Sequence, residues 1–169
     1  MGKFWMAALL LLGAWCGMAG ELVGRVVHIA DGDTVTVLDA AKTQHRIRLL
    51  DIDAPESKQA FGQKSKAYLA SLIAGKEVRV ESSSRDMYGR VLGTIFLGET
   101  NVNLKMVEAG LAWRYVHSKN PVYGKAEAEA RAARKGLWAD PHAVNPSEFR
   151  KAARKAARRA KEGASPDKK

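Results

Sequence analysis

Cysteine is nearly missing from this chain: Cys16 is the only one. It falls inside an N-terminal stretch that reads as a targeting segment, so a chain cleaved after Ala19 carries no thiol and no disulfide framework. Histidine is sparse as well. His28, His45, His117 and His142 are scattered without ligand spacing, which together with the missing thiols argues against a zinc centre. No nucleophile-elbow signature is present, so a Ser–His–Asp site has no sequence support. A long apolar run is lacking too: Phe4 to Trp15 is too short to span a bilayer comfortably.

That short run is itself informative. Lys3 gives a positive start, and Gly17-Met18-Ala19 offers small residues for cleavage after Ala19. Residues 1–19 are expected to be a signal peptide, placing the mature protein in the periplasm or outside the cell. An uncleaved signal anchor is the competing reading. A lipid anchor on Cys16 fits poorly behind the bulky Trp15.

Charge of one sign dominates. The 169 residues hold 28 Lys and Arg against 18 acidic residues, a net charge of +10. Residues 147–169 carry nine basic and three acidic side chains, whereas residues 20–146 carry eighteen and fifteen. The body is mildly basic and the tail strongly so, which points to a polyanionic partner. Residues 20–146 are read as one domain and 147–169 as a basic helical or disordered tail. For the tail, a grip on nucleic acid by counterion release, a solvated helix that raises solubility, and contact with an anionic surface all stay open.

Between these ends the chain reads as a barrel. Leu22–Ala30 is rich in β-branched residues, Asp31-Gly32 signals a hairpin, and Asp33–Leu38 alternates polar and apolar. After a turn at Asp39–Lys42, a third strand runs over 43–52. A helical period follows within 57–73, with Gly75 as its stop. Lys76–Glu81 and Arg90–Leu97 alternate as strands around a polar loop, with Gly93 a candidate bulge or close-approach point. Asn103 is expected to cap a helix over 104–109, and Pro121 to open one reaching Lys135 with Ala126, Ala130 and Ala133 on its inner face. Five short strands with an interposed helix suggest a small OB-type barrel in a mainly β, α+β chain.

The segment Arg48-Leu49-Leu50-Asp51-Ile52-Asp53-Ala54-Pro55-Glu56 carries the chemistry. It places one guanidinium and three carboxylates at a strand end, where Pro55 forces the strand to stop. Phosphodiester cleavage needs offset phosphate charge, an activated water and donors for the transition state. Asp33 and Asp53 suit a hard cation such as Ca²⁺, Arg48 and Arg90 suit phosphate oxygens, and Glu56 suits a general base. Four of these five have a blander reading: Asp33 a turn residue, the arginines surface ion pairs, Glu56 a helix-entry carboxylate. Residues 48 and 53 face opposite sides of a regular pleat, so a shared site requires the strand to break between Leu50 and Asp53. Trp113 and Trp138 read as core rather than as base-stacking platforms.

Three motifs in this order, Asp31-Gly32-Asp33-Thr34, the 48–56 segment, and Asp86-Met87-Tyr88-Gly89-Arg90, resemble the staphylococcal nuclease family over about Leu22 to Asp140. The resemblance implies an OB-fold barrel with three helices and a Ca²⁺-dependent endonuclease on DNA and RNA that leaves 3′-phosphate ends. By the same resemblance Asp33, Asp53 and the carbonyl of Ala54 hold calcium, Glu56 is the base, and Arg48 and Arg90 grip phosphate. Tyr88 is a substrate contact and Tyr115 part of a base-stacking wall. Ala54, Met87 and His117 depart from the family pattern, where threonine, lysine and tyrosine are expected. A monomer without an obligate protein partner is expected. The rival is a non-catalytic OB module that binds nucleic acid without cutting it.

Overall fold

A computed structural model describes residues 20–163. The expected targeting segment, 1–19, and the last residues of the tail lie outside the described residues. Five strands close on one another. In chain order they are β1 (Glu21–Ile29), β2 (Thr34–Asp39), β3 (Gln44–Leu49), β5 (Glu77–Arg85) and β6 (Val91–Leu97). β1 pairs antiparallel with β2 and β5, β2 with β3, and β5 with β6. A parallel pairing of β3 with β6, Ile47 opposite Val91, completes the ring. This is the expected OB-type barrel, and closure leaves little free sheet edge.

The strand alternation fills the interior. Val26, Val35, Val37, Ile47, Leu49, Val80 and Ile95 are buried, each contributing about 1.5–3 kcal/mol by leaving water. Helix α1 (Gly62–Ile73) adds Leu69 and Ile73, α2 (Val102–Glu108) adds Met106 and Val107, and α3 (Pro121–Ala132) adds Tyr123 and Ala126. Trp113 is buried and meets Trp138 edge-on at 5.2 Å, so both pack as expected. A last helix, α4 (Pro146–Gly163), is formed by the described part of the basic tail.

Four sequence expectations are revised. The polar stretch after Glu81 is not all loop: β5 continues to Arg85, because Ser84 and Arg85 pair with Leu92 and Val91. The helix begins at Gly62, since Ser57–Phe61 turns and Phe61 itself has φ 65°. Asn103 caps nothing. Asn101 accepts the Leu104 N–H and caps α2, while Asn103 is wholly buried. Finally, α3 stops at Ala132, so Ala133 is exposed rather than on the inner face.

The buried Asn103 matters to the site. Its Oδ1 accepts the Ile95 N–H, and its Nδ2 donates to the carbonyls of Leu50 and Gly93. It thus satisfies backbone groups left over where β3 stops and β6 passes. The stop falls within the expected interval. Leu50 and Asp51 form a turn, with Asp51 at φ 64°, and a two-residue strand β4 (Ile52–Asp53) then pairs with the short strand Trp113–Arg114. Aspartate tolerates this left-handed conformation better than most residues.

Candidate nuclease site

The break at Asp51 resolves the pleat problem. On β3 the side chains of Ile47 and Leu49 point into the barrel, so Arg48 points away from it. The left-handed turn re-aims the chain, and Asp53 arrives on the Arg48 side: Arg48 Nη2 donates to Asp53 Oδ1 at 3.0 Å. The same nitrogen stands 3.2 Å from Asp33 Oδ2. Its Nη1 donates to the carbonyls of Leu49 and Ile52 at 2.7 and 2.9 Å. Arg48 therefore clamps the strand break while its fork faces both aspartates.

Asp33 is fixed from several sides. Its backbone carbonyl accepts the Leu49 N–H at 2.8 Å. Its carboxylate accepts the Thr34 hydroxyl and, at 2.7 Å, the Ala54 N–H. Asp31 accepts the Asp33 N–H, shaping the turn. Gly32 is obligatory here, since a Cβ would collide with Ser65 Oγ and lie 2.8 Å from Ala54 Cβ. The glycine of the Asp31–Thr34 motif thus lets the loop lie flat against α1 and brings Asp33 to the 53–54 backbone.

Two carboxylates, 6% and 3% exposed, are facing one positively charged nitrogen. Such a pair of hard oxygen donors converging on one centre suits a cation of the calcium or magnesium class. Among the described residues no group of three or more His, Cys, Asp or Glu side chains stands ready as a metal cage. Further donors must therefore be backbone carbonyls and water. Burial pushes the Asp33 carboxyl up to about 7, with Asp31 and Asp53 adding to the rise and Arg48 and the Ala54 N–H opposing it.

This shift has a measurable sign. Unfolded, Asp33 ionises near 3.8; folded and cation-free, it keeps its proton to about 7. Between those values the native state binds more protons than the unfolded chain, so this group's contribution to stability falls as pH rises and levels off above about 7. The slope is at most ~1.4 kcal/mol per pH unit. Asp33→Asn should remove it. Urea melts of both proteins in chelator, across the mildly acidic range, check this; parallel pH profiles would refute it.

Arg90 enters from the far strand. Its backbone N–H and Nε both donate to Asp86, at 2.9 and 2.7 Å. Burial alone would raise the Asp86 carboxyl, but the bonds from Arg90 and the N–H of Tyr88 hold it below the ordinary carboxylate value. The guanidinium lies 5.6 Å from the Tyr88 ring. Among the described residues its two terminal nitrogens carry no protein hydrogen bond, so they are the donors available to a phosphate.

A cleft of about 470 Å³ joins these parts. Asp33, Arg48, Ala54, Glu56, Tyr88, Arg90 and Tyr115 all line it. Asp53 is tied to it through Arg48. Tyr88 and Tyr115 are 76% and 40% exposed at its rim, where flat apolar faces meet solvent.

Comparison with known proteins agrees with this geometry. A family model described as staphylococcal nuclease homologue matches residues 46–140. The chain belongs to the staphylococcal nuclease family. It is 44% identical over 128 residues to an uncharacterized endonuclease of Haemophilus influenzae, covering 75% of this chain and 72% of that protein. It is 44% identical over 143 residues to the protein ParB of Escherichia coli, covering 78% and 80%. To a micrococcal nuclease of Shigella flexneri it is 43% identical over 155 residues, covering 85% and 86%. Membership of the staphylococcal nuclease family supports a nuclease function.

Three residues of consequence escaped sequence reasoning. Asp86 sat in a quoted motif without a role, although its spacing to Arg90 was a signal for a turn-and-clamp pair. Asn103 read as a cap because a polar residue preceded a helical run. Arg150 was one of nine basic residues in the tail, and nothing but the neighbouring Phe149 distinguished it. It reaches the site: Nη1 donates to Glu56 Oε1 at 2.7 Å and Nη2 to Asp53 Oδ2 at 2.9 Å. Both Asp33 and Arg150 lie outside the residues matched by the staphylococcal nuclease model.

Proposed function

We propose that the protein is a Ca²⁺-dependent nuclease that hydrolyses phosphodiester bonds of DNA and RNA and leaves 3′-phosphate ends. The carrying observation is that Asp33, Arg48, Glu56 and Arg90, from three separate segments, line one cleft with Asp53 bonded at its wall. Asp33 and Asp53 are the side chains that would hold the cation, with the Ala54 carbonyl as the expected backbone donor. When bound, a hard divalent cation would offset phosphate charge and acidify a water molecule.

The remaining work falls to this chain's own groups. Glu56, half-buried just after Pro55, takes a proton from the water that attacks phosphorus. The Arg90 terminal nitrogens donate to the non-bridging phosphate oxygens as negative charge builds on them. Arg48 contributes Nη2 once its carboxylates are engaged elsewhere. The bond to the 5′-oxygen breaks, so the phosphate stays on the 3′ side. Tyr88 and Tyr115 offer ring faces to the flanking nucleotides. The sequence of residues 1–19 supports export, and hence work in the periplasm or outside the cell.

Digestion of plasmid DNA and of RNA decides the matter. Cleavage with Ca²⁺, its loss in chelator, and 3′-phosphate ends on the fragments are the expected results. Activity unaffected by chelator would remove the cation from the reading. Binding without cleavage under every divalent ion tried would favour the non-catalytic module.

A further inference from the structure

We propose that Arg150 is a third phosphate-binding arginine of this cleft, delivered by α4 and held on Asp53 and Glu56 until a cation and substrate arrive. The proposal rests on the cleft being a cation-dependent nuclease site.

Arg150 does not belong to a loose tail. Asn145 caps α4 by accepting the Ser147 N–H at 2.9 Å, and Pro146 is buried. Phe149, half-buried, lines a small apolar cavity together with Phe61, Trp113 and Leu137. Gln59 donates to the Val144 carbonyl just ahead of the helix. The first turn of α4 is thus fastened to the body, while residues 151–161 are exposed. This seating aims the next side chain, Arg150, into the cleft.

Its bonding pattern is that of an anion fork. Nη1 and Nη2 take Asp53 at 3.2 and 2.9 Å, and Nη1 also takes Glu56 at 2.7 Å. The same planar pair of donors matches two phosphate oxygens. Burial alone would depress the guanidinium, but Asp53 and Glu56 hold it firmly charged. Both acceptors have other duties in a working site, Asp53 toward the cation and Glu56 toward water. When those duties are taken up, Arg150 loses its partners and meets a like charge. The nearest new acceptor of suitable shape is the incoming phosphodiester.

The charge of the cleft supports this. Its lining holds five carboxylates, Asp31, Asp33, Asp51, Glu56 and Asp86, against four arginines. Two of those four, Arg150 and Arg154, come from α4. Without them a polyanion would face two arginines and five carboxylates.

Arg150→Met in the full chain tests this, with Arg150→Lys beside it and thermal melts to verify folding. Calcium affinity, titrated calorimetrically without nucleic acid, should tighten by about three- to tenfold in Arg150→Met, because a competitor for the carboxylates is gone. On single-stranded DNA at saturating calcium, KM should rise about tenfold with kcat changed far less, the scale of one charge-assisted hydrogen bond. The log–log salt slope of KM should shrink by about 0.7. Arg150→Lys should restore the salt slope but only part of the affinity. Unchanged calcium affinity and unchanged KM in folded Arg150→Met would overturn the proposal, as would a fall in kcat at constant KM. Wild-type protein that cleaves normally beside such a variant leaves the nuclease reading intact. Wild-type protein that cleaves nothing with any divalent ion removes that reading and this one with it.

Discussion

Arg48→Ala is expected to lower turnover on single-stranded DNA by about 10²–10³, the usual cost of one lost transition-state donor. It should also destabilise the fold by about 1–3 kcal/mol, because the Leu49 and Ile52 carbonyls lose a donor and Asp33 loses its counter-charge, while Asp53 keeps Arg150. The two effects have one origin. A single guanidinium bonds the Leu49 and Ile52 carbonyls on one side and both carboxylates on the other. Arg48→Lys should recover little, since a compact ammonium cannot bridge carbonyls and carboxylates at once. Assays well below each variant's melting temperature separate chemistry from unfolding. Near-normal turnover there would sink the assigned role.

Asn103→Leu should be the most destabilising change remote from the cleft. The volume is nearly kept, but the Ile95 N–H loses its acceptor and the Leu50 and Gly93 carbonyls lose a donor. Leaving a buried polar group unsatisfied costs about 1–3 kcal/mol. Among the described residues the Leu50 carbonyl, at the strand break, has no other donor, so a total of about 3 kcal/mol is expected, or a melting temperature lower by roughly 10 °C. Turnover should fall as well, because the break places Asp53. A thermal melt within a degree or two of wild type would show that water or a shifted backbone replaces the amide.

Most of the barrel was legible because its strands bury one face each, and burial imposes the period-two pattern on Val35, Val37, Ile47 and Leu49. The strand break was legible from a conflict: Arg48 and Asp53 can share a cleft only if the pleat is interrupted. The two-stranded extension of β5 was not, because Ser82–Arg85 bury little and are held by pairing with β6, which no local signal records. Asn103 misled for a related reason. A capping residue and a buried bridging amide look alike in sequence, and only the tertiary packing of α2 on the strand break tells them apart.

The candidate site divides the same way. Asp33, Arg48, Asp53, Glu56 and Arg90 were recognisable because they sit in short motifs whose chemistry is unusual for strand ends. Arg150 was not, because an alanine–basic repeat offers many equivalent guanidiniums. What selects one is the fastening of the start of α4, through buried Pro146 and the Gln59 bond to the Val144 carbonyl, together with the register of the helix.

The parallel closure of β3 on β6 has a consequence for how the chain is made. Ile47 and Val91 lie about forty residues apart, so the pairing brings a large loop-closure cost and forms only after β6 has been synthesised. A nascent chain that has emerged as far as Glu56 already holds both aspartates and the arginine beside them. It has no wall opposite them, no Arg90 and no helix to supply Arg150. On the ribosome, the carboxylates therefore exist well before the pocket that gives them a task.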